Sequence, residues 1–294
     1  MPPTSKGVAP YLFLLIILIV AGGLILFFRA PGEIKLYSAV FGPSGGSLAC
    51  DGGRALITMP GGVLTANTAI TCETVSVSDL PKSLQKLVPV GVLYRLGPEE
   101  MAFQGLVEVR LALDSSLYSV GPDRIVITPH LLYTVGRDGQ PELLQGLSMV
   151  ASPSEAYIQG SLTHLGPVVK RPGTVRFELT PGEVSLPPGL LFNTTLEIRN
   201  LPREELEQGQ LPSDIKLAKL RVSASDDVAA EDHEEWFNLS SGETRIETFT
   251  IFCREEGKGS YAGDLHYRIS PVDNPDLEII AYLSIAGEVR CVGK

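Results

Sequence analysis

The sequence predicts an all-β protein, an N-terminal transmembrane helix followed by two β-sandwich domains. Three observations point there. Thirty Gly and 22 Pro among 294 residues break the backbone too often for a long-helix bundle. Beyond about residue 40, short runs alternate apolar and polar side chains with period two and are separated by Gly, Pro, Asn and Asp. Near the N-terminus, residues 11–28 form an uncharged run of 18.

Residues 1–10 read as a short tail, with Lys6 its one basic side chain. Tyr11 to Phe28, YLFLLIILIVAGGLILFF, is apolar on every helical face and long enough to cross a hydrocarbon core of roughly 30 Å. The rival is a cleaved signal peptide, but the run exceeds an ordinary h-region, and Pro31 follows Ala30, the one small residue that could end a cleavage motif. An uncleaved signal anchor is therefore expected. Lys6 and the α-amino group on one side balance Arg29 and Lys35, offset by Glu33, on the other, so the positive-inside count does not orient it. The mean hydropathy of +0.16 is explained largely by this run.

Residues 29–40 read as a linker, and 41–169 as the first sandwich. Its strands are expected at 54–59, 69–77, 91–96, 106–112, 125–133 and 156–162. The intervening GPSGG, CDGG, MPGG, GPEE and GRDGQP supply turn chemistry. Leu80, Leu84 and Leu87, bounded by Pro81 and Pro89, allow a turn or two of helix, expected to plug one end of the sandwich. GPVVKRPG, residues 166–173, has the composition of a linker. Residues 170–294 then read as an immunoglobulin-like sandwich with strands at 175–179, 194–199, 217–224, 245–253, 260–269 and 277–285. Trp236 lies in an acidic stretch rather than between cysteines, which excludes an antibody-type domain.

Four cysteines fall two to each half. The pairing read from that split is Cys50 with Cys72 and Cys253 with Cys291 in an oxidising compartment, with four buried thiols as the alternative. Asn193 and Asn238 head glycosylation sequons that permit the same side of the membrane. Everything beyond Arg29 is accordingly expected outside the cytoplasm.

FGPSGGSLAC (residues 41–50), ALITMPGGVLTANTAIT (55–71), PVGVLYRLGPEEMAFQGLVEVRLAL (89–113) and GSLTHLGPVV (160–169) occur in that order. Together they resemble the ZU5 domain of ankyrins, netrin receptors, death-domain adaptors and prokaryotic surface proteins. The resemblance covers about residues 41–169 and implies a β-sandwich used for protein interaction. Some relatives carry His-Phe-Ser in the last strand, where the chain cuts itself. Here the positions are His164, Leu165 and Gly166, so no nucleophile is present, autoproteolysis is not implied, and His164 is expected to be a packed or hydrogen-bonded strand residue.

The net charge of −10 argues against a nucleic-acid partner. Gly42-Pro43-Ser44-Gly45-Gly46 matches G-x-S-x-G, and a hydrolase is the different-class alternative, but no helix follows Ser44. His130, His164, His233 and His266 lack metal spacing, and no cofactor motif is found. Asp226, Asp227, Glu231 and Asp232 cluster as candidate Ca²⁺ ligands, yet no glycine folds them around an ion, and a solvated acidic loop accounts for the same run. Glu234 and Glu235 are strand neighbours facing opposite ways, which disfavours a glycosidase pair. Of Trp236 and Phe237, alternation exposes one; a core Trp is the commoner arrangement. The reading is a non-catalytic, single-pass surface protein for interaction, adhesion or scaffolding, with an unknown protein partner. An accessory subunit of a membrane complex, using Gly22-Gly23 for close helix packing, is the alternative.

Overall fold

A computed structural model of the chain describes residues 35–87, 89–99, 101–113, 118–206, 210, 212–225, 228–230, 234–271 and 278–293. The expected anchor at 11–28 and the acidic residues Asp226, Asp227, Glu231 and Asp232 lie outside them. Among the described residues no helix is long and apolar enough to cross a membrane. Leu36–Lys294 forms one compact unit.

The unit is all-β with several sheets, as the alternation predicts. Its strands begin with β1 (Leu36–Phe41) and β2 (Gly46–Cys50), joined by a tight Gly-Pro-Ser-Gly turn. Gly45 there has φ +77°, and a Cβ would lie 2.1 Å from the Met59 carbonyl oxygen, so only glycine fits. β3 (Ala55–Met59) and β4 (Thr68–Val75) follow, then helix α1 (Lys82–Gln85), β5 (Val90–Gly97) and β6 (Ala102–Ala112). Next come β7 (Tyr118–Val120), β8 (Ile125–Ile127), β9 (His130–Val135), β10 (Pro141–Leu143), β11 (Gln145–Ala151) and β12 (Ala156–His164). The expected single strand at 125–133 is thus two strands, interrupted at Thr128-Pro129, where proline lacks the N–H a ladder needs.

The expected linker at 166–173 is instead β13 (Pro167–Pro172), buried at all six positions. Its Lys170 is 1% exposed, with Nζ donating to the Ala112 carbonyl at 3.2 Å, so a buried charge is held by a hydrogen bond between strands of two sheets. The remaining strands are β14 (Val175–Thr180), β15 (Glu183–Leu186), β16 (Leu191–Asn200), β17 (Ser213–Ala224), β18 (Val228–Ala230), β19 (Glu234–Leu239), β20 (Thr244–Cys253), β21 (Gly257–Pro271) and β22 (Ile279–Cys291). β22 alternates buried and outward residues along its whole length, the imprint of one face on a core.

Among the described residues three sheets result. One runs β1-β4-β5-β13-β9-β10, another β18-β20-β16-β14-β8-β7. The third has ten strands in the order β19-β17-β21-β22-β11-β12-β6-β3-β2, with β15 also on β22. Besides those of β13 with β5 and β9, two pairings connect stretches that the sequence reading assigns to different domains. β11 runs parallel to β22, and β8 pairs with β14. Inward side chains of all three sheets belong to one apolar cluster. Within it Phe177 meets Tyr267 at 6.1 Å and Phe192 meets Tyr261 edge-on at 5.6 Å, each pair spanning two sheets. α1 does not plug a sandwich end. Its Leu84, with Leu80, packs on Leu93, Val169 and Tyr133, on a face of the first sheet.

Both disulfides join sheet to sheet. Cys50 of β2 binds Cys72 of β4 with Cα atoms 6.4 Å apart, and Cys253 of β20 binds Cys291 of β22 at 5.7 Å.

Candidate functional site

Where β12 ends and the chain turns into β13, a cleft of about 550 Å³ opens, within the size range of ligand sites. Pro81, Glu99, His164 to Pro167, and Val135 to Arg137 with Gly139 line it. The turn joining β9 to β10 forms one wall. Gly136 N–H donates to the Gln140 carbonyl at 2.7 Å, and Gly139, at φ +77°, donates to the Gly136 carbonyl at 2.9 Å. Asp138 Oδ1 accepts from Gln140 N–H at 2.9 Å, which tightens the same turn. The opposite wall is pinned by Leu96 N–H on the Gly166 carbonyl at 3.0 Å and Leu165 N–H on the Met101 carbonyl at 3.2 Å.

His164 is 6% exposed and spans the walls: its Nε2 lies 2.7 Å from the Val135 carbonyl oxygen. A carbonyl only accepts, so Nε2 carries the proton. Nδ1 shares a hydrogen bond with the Thr163 hydroxyl at 3.2 Å. Both ring nitrogens are engaged, which makes His164 a brace between the walls. Thr134, 2% exposed, has a buried Oγ1 without a hydrogen bond among the described residues, beside Gly166, where a Cβ would stand 3.4 Å away. Glu99 is held by Arg95 at 3.1 Å. Arg137 is exposed on the rim and has no ion-pair partner among the described residues. Nearby, burial raises the Tyr133 phenol above its ordinary pKa, opposed in part by the Arg171 guanidinium. The side chains that line the cleft include no hydroxyl or thiol. An apolar floor of Leu165, Pro167 and Val135, with Pro81 and the Arg137 cation on the rim, is suited to holding an extended, carboxylate-bearing segment.

The other residues singled out by sequence are dispersed. Ser44 is exposed in the β1–β2 turn and is followed by a strand, not by the helix that a nucleophile elbow requires. His130 is buried in β9, and His266 stands on the outer face of the ten-stranded sheet, edge-on to Tyr282 at 4.7 Å. His233 lies outside the described residues. Among the described residues no group of three or more His, Cys, Asp or Glu could hold a metal ion. Glu234 bonds Lys219 at 2.8 Å, and Glu235 bonds Arg245. Asn193 and Asn238 are both exposed on strands. Trp236, at 56% exposure, faces out while Phe237, at 6%, joins the core under the Arg245 guanidinium, 4.5 Å from the ring centre. The commoner expectation of a core Trp is reversed because Phe237 and Leu239 share the inward face of β19.

Sequence reasoning singles out His164 and Gly166 only as motif positions, the histidine as a structural residue, and misses that they line a cleft with Glu99 and Arg137. GRDGQP was legible as a turn, yet nothing local says which distant strand end it meets.

No protein-family model matches the chain, and no curated protein matches it by sequence. Among solved structures, PapD-like domain 7 of human CEP192 is similar at 14% identity and TM-score 0.23, over 40% of this chain and 86% of that one. A Salmonella alpha-2-macroglobulin is similar at 10% identity and TM-score 0.31, over 90% of this chain, which spans 23% of the macroglobulin. The N-terminal domain of the Streptococcus gordonii adhesin Sgo0707 is similar at 9% identity and TM-score 0.24, over 90% of this chain and 82% of that one. At these scores none of them identifies a family, and nothing of their activity is carried to this chain.

Proposed function

We propose that the protein is a non-catalytic, single-pass surface protein whose β unit, ZU5-like over 41–169 and immunoglobulin-like over 170–294, binds a partner for adhesion or scaffolding. The observation that carries this reading is the cleft beside His164, with Arg137 on its rim without an ion-pair partner among the described residues and its one histidine committed to structure. Two disulfides between sheets support an oxidising compartment. Residues 11–28 supply the anchor, and Arg137 attracts an acidic segment of the partner.

A photo-crosslinking residue at Glu99, exposed on the cleft, in the full chain tests it on intact cells. The proposal expects a discrete adduct that Arg137→Glu abolishes without altering folding. A chain that gives no adduct, or one labelled by a serine-hydrolase probe and unlabelled as Ser44→Ala, contradicts it.

A further inference from the structure

Trp236 is the chain's single tryptophan, more than half exposed on β19, which ends the order of the ten-stranded sheet. Large apolar groups on an unpaired sheet edge invite aggregation unless something covers them. What lies beside Trp236 suggests the cover. A strand alternates faces, so Asn238 emerges from the same outward face, about 7 Å along the strand. Asn238 heads the triplet Asn238-Leu239-Ser240, which straddles the strand's end. The turn after it is ordered by Ser240 N–H on Glu243 Oε2 at 2.7 Å and Glu243 N–H on the Ser240 carbonyl at 3.0 Å.

The Asn238 side-chain amide makes no hydrogen bond among the described residues. By contrast, Asn193, heading the other sequon, has its Oδ1 engaged by the Thr250 hydroxyl at 3.3 Å, with Leu191 two residues before it. Across from Trp236, Lys219 Nζ stands 5.4 Å from the ring centroid and is held by Glu234. β17 is the strand that flanks β19 on that side, and among the described residues no strand flanks the other.

We infer that Asn238 carries an N-linked glycan whose first N-acetylhexosamine packs its C–H face on the Trp236 indole. The inference rests on the extracytoplasmic reading of the β unit. Attachment joins Asn238 Nδ2 to the sugar's anomeric carbon. The bond from that carbon to the lipid-diphosphate donor breaks, the diphosphate leaves with the electron pair, and Nδ2 loses one proton. No oxidant or reductant enters. The indole gains a saccharide face that water would otherwise wet, and the bulky chain blocks pairing along β19.

The test expresses the full chain in a host that N-glycosylates, maps occupancy by peptide mass spectrometry, and reads Trp236 emission and its quenching by acrylamide. One tryptophan makes both signals specific to this site. The expected result is a glycan on Asn238, with emission shifted to the red and quenching increased in both Asn238→Gln and Ser240→Ala, while far-ultraviolet circular dichroism is unchanged. Trimming the glycan to its first sugar leaves the emission where it was. Unmodified Asn238 in a β unit that protease reaches on intact cells overturns this inference alone. A β unit sealed from protease with Asn238 bare overturns it together with the extracytoplasmic reading. An occupied Asn238 whose removal leaves emission and quenching unchanged overturns the stacking. Concentration-dependent emission with a dimer and a bare Asn238 overturns it in favour of a second copy on β19.

Discussion

Removing the Cys253–Cys291 bond by a double substitution to alanine should destabilise the whole β unit. The bond closes a separation of 38 residues between two sheets. Loop closure in the unfolded chain then accounts for about 3.9 kcal/mol, against about 3.4 kcal/mol for the 22-residue separation of Cys50–Cys72. The two loops do not overlap, so their effects add, and together they approach the whole stability of an ordinary domain. Because β11 and β22 make one ladder and the apolar cluster is continuous, each double variant should shift one common transition rather than a private one. Urea unfolding of the detergent-solubilised full chain, followed by far-ultraviolet circular dichroism, measures this. The midpoint should fall, and the m-value should rise as the freed chain exposes more surface on unfolding. A loss below about 1 kcal/mol for either pair would refute the loop-closure reasoning. Two separate transitions, each answering to one disulfide, would refute the continuity of the ten-stranded sheet.

Three further outcomes are expected. Burial holds Tyr261, whose hydroxyl donates to the Pro181 carbonyl, and Tyr118 up at about 12, against an ordinary 10.0. These raised values contribute stability that is complete below pH 10.0 and is lost as pH rises through about 12, so the phenolate absorbance of these two side chains should appear late and together with unfolding. Phe237→Ala should cost about 3–5 kcal/mol and Trp236→Ala about 0.5 kcal/mol or less in the same urea assay, and a reversed order would contradict the facing of β19. Gly45→Ala, which drives a Cβ onto the Met59 carbonyl, should lower the midpoint while Gly139→Ala, with nothing within 4 Å, should cost less.

Period-two alternation finds most of the strands because each buries one face, and their cores, such as Leu265, Tyr267 and Ile269, sit where it puts them. It is silent on which strands meet. The parallel ladder of β11 with β22 and the pairing of β8 with β14 join residues far apart in sequence, and register between such strands leaves no local mark. The stretch 166–173 reads as a linker because Pro, Gly and two cations are surface composition. In the fold, Lys170 finds the Ala112 carbonyl and the segment is buried. The facing of Trp236 was legible after all, since Phe237 and Leu239 are the apolar pair that shares one side of the strand. The cleft itself was not legible: the motif marks His164 and Gly166 only as strand positions, and Glu99 and Arg137 meet them through tertiary closure of two turns.

Protease digestion of intact cells expressing the full chain tests the central claim most directly. An extracytoplasmic β unit behind an anchor at 11–28 predicts that added protease trims or releases Leu36–Lys294 from intact cells, while an uncut chain withstands alkaline carbonate washing of the membranes. A unit that stays protected until the cells are lysed, or a chain that carbonate strips from the membrane, contradicts it.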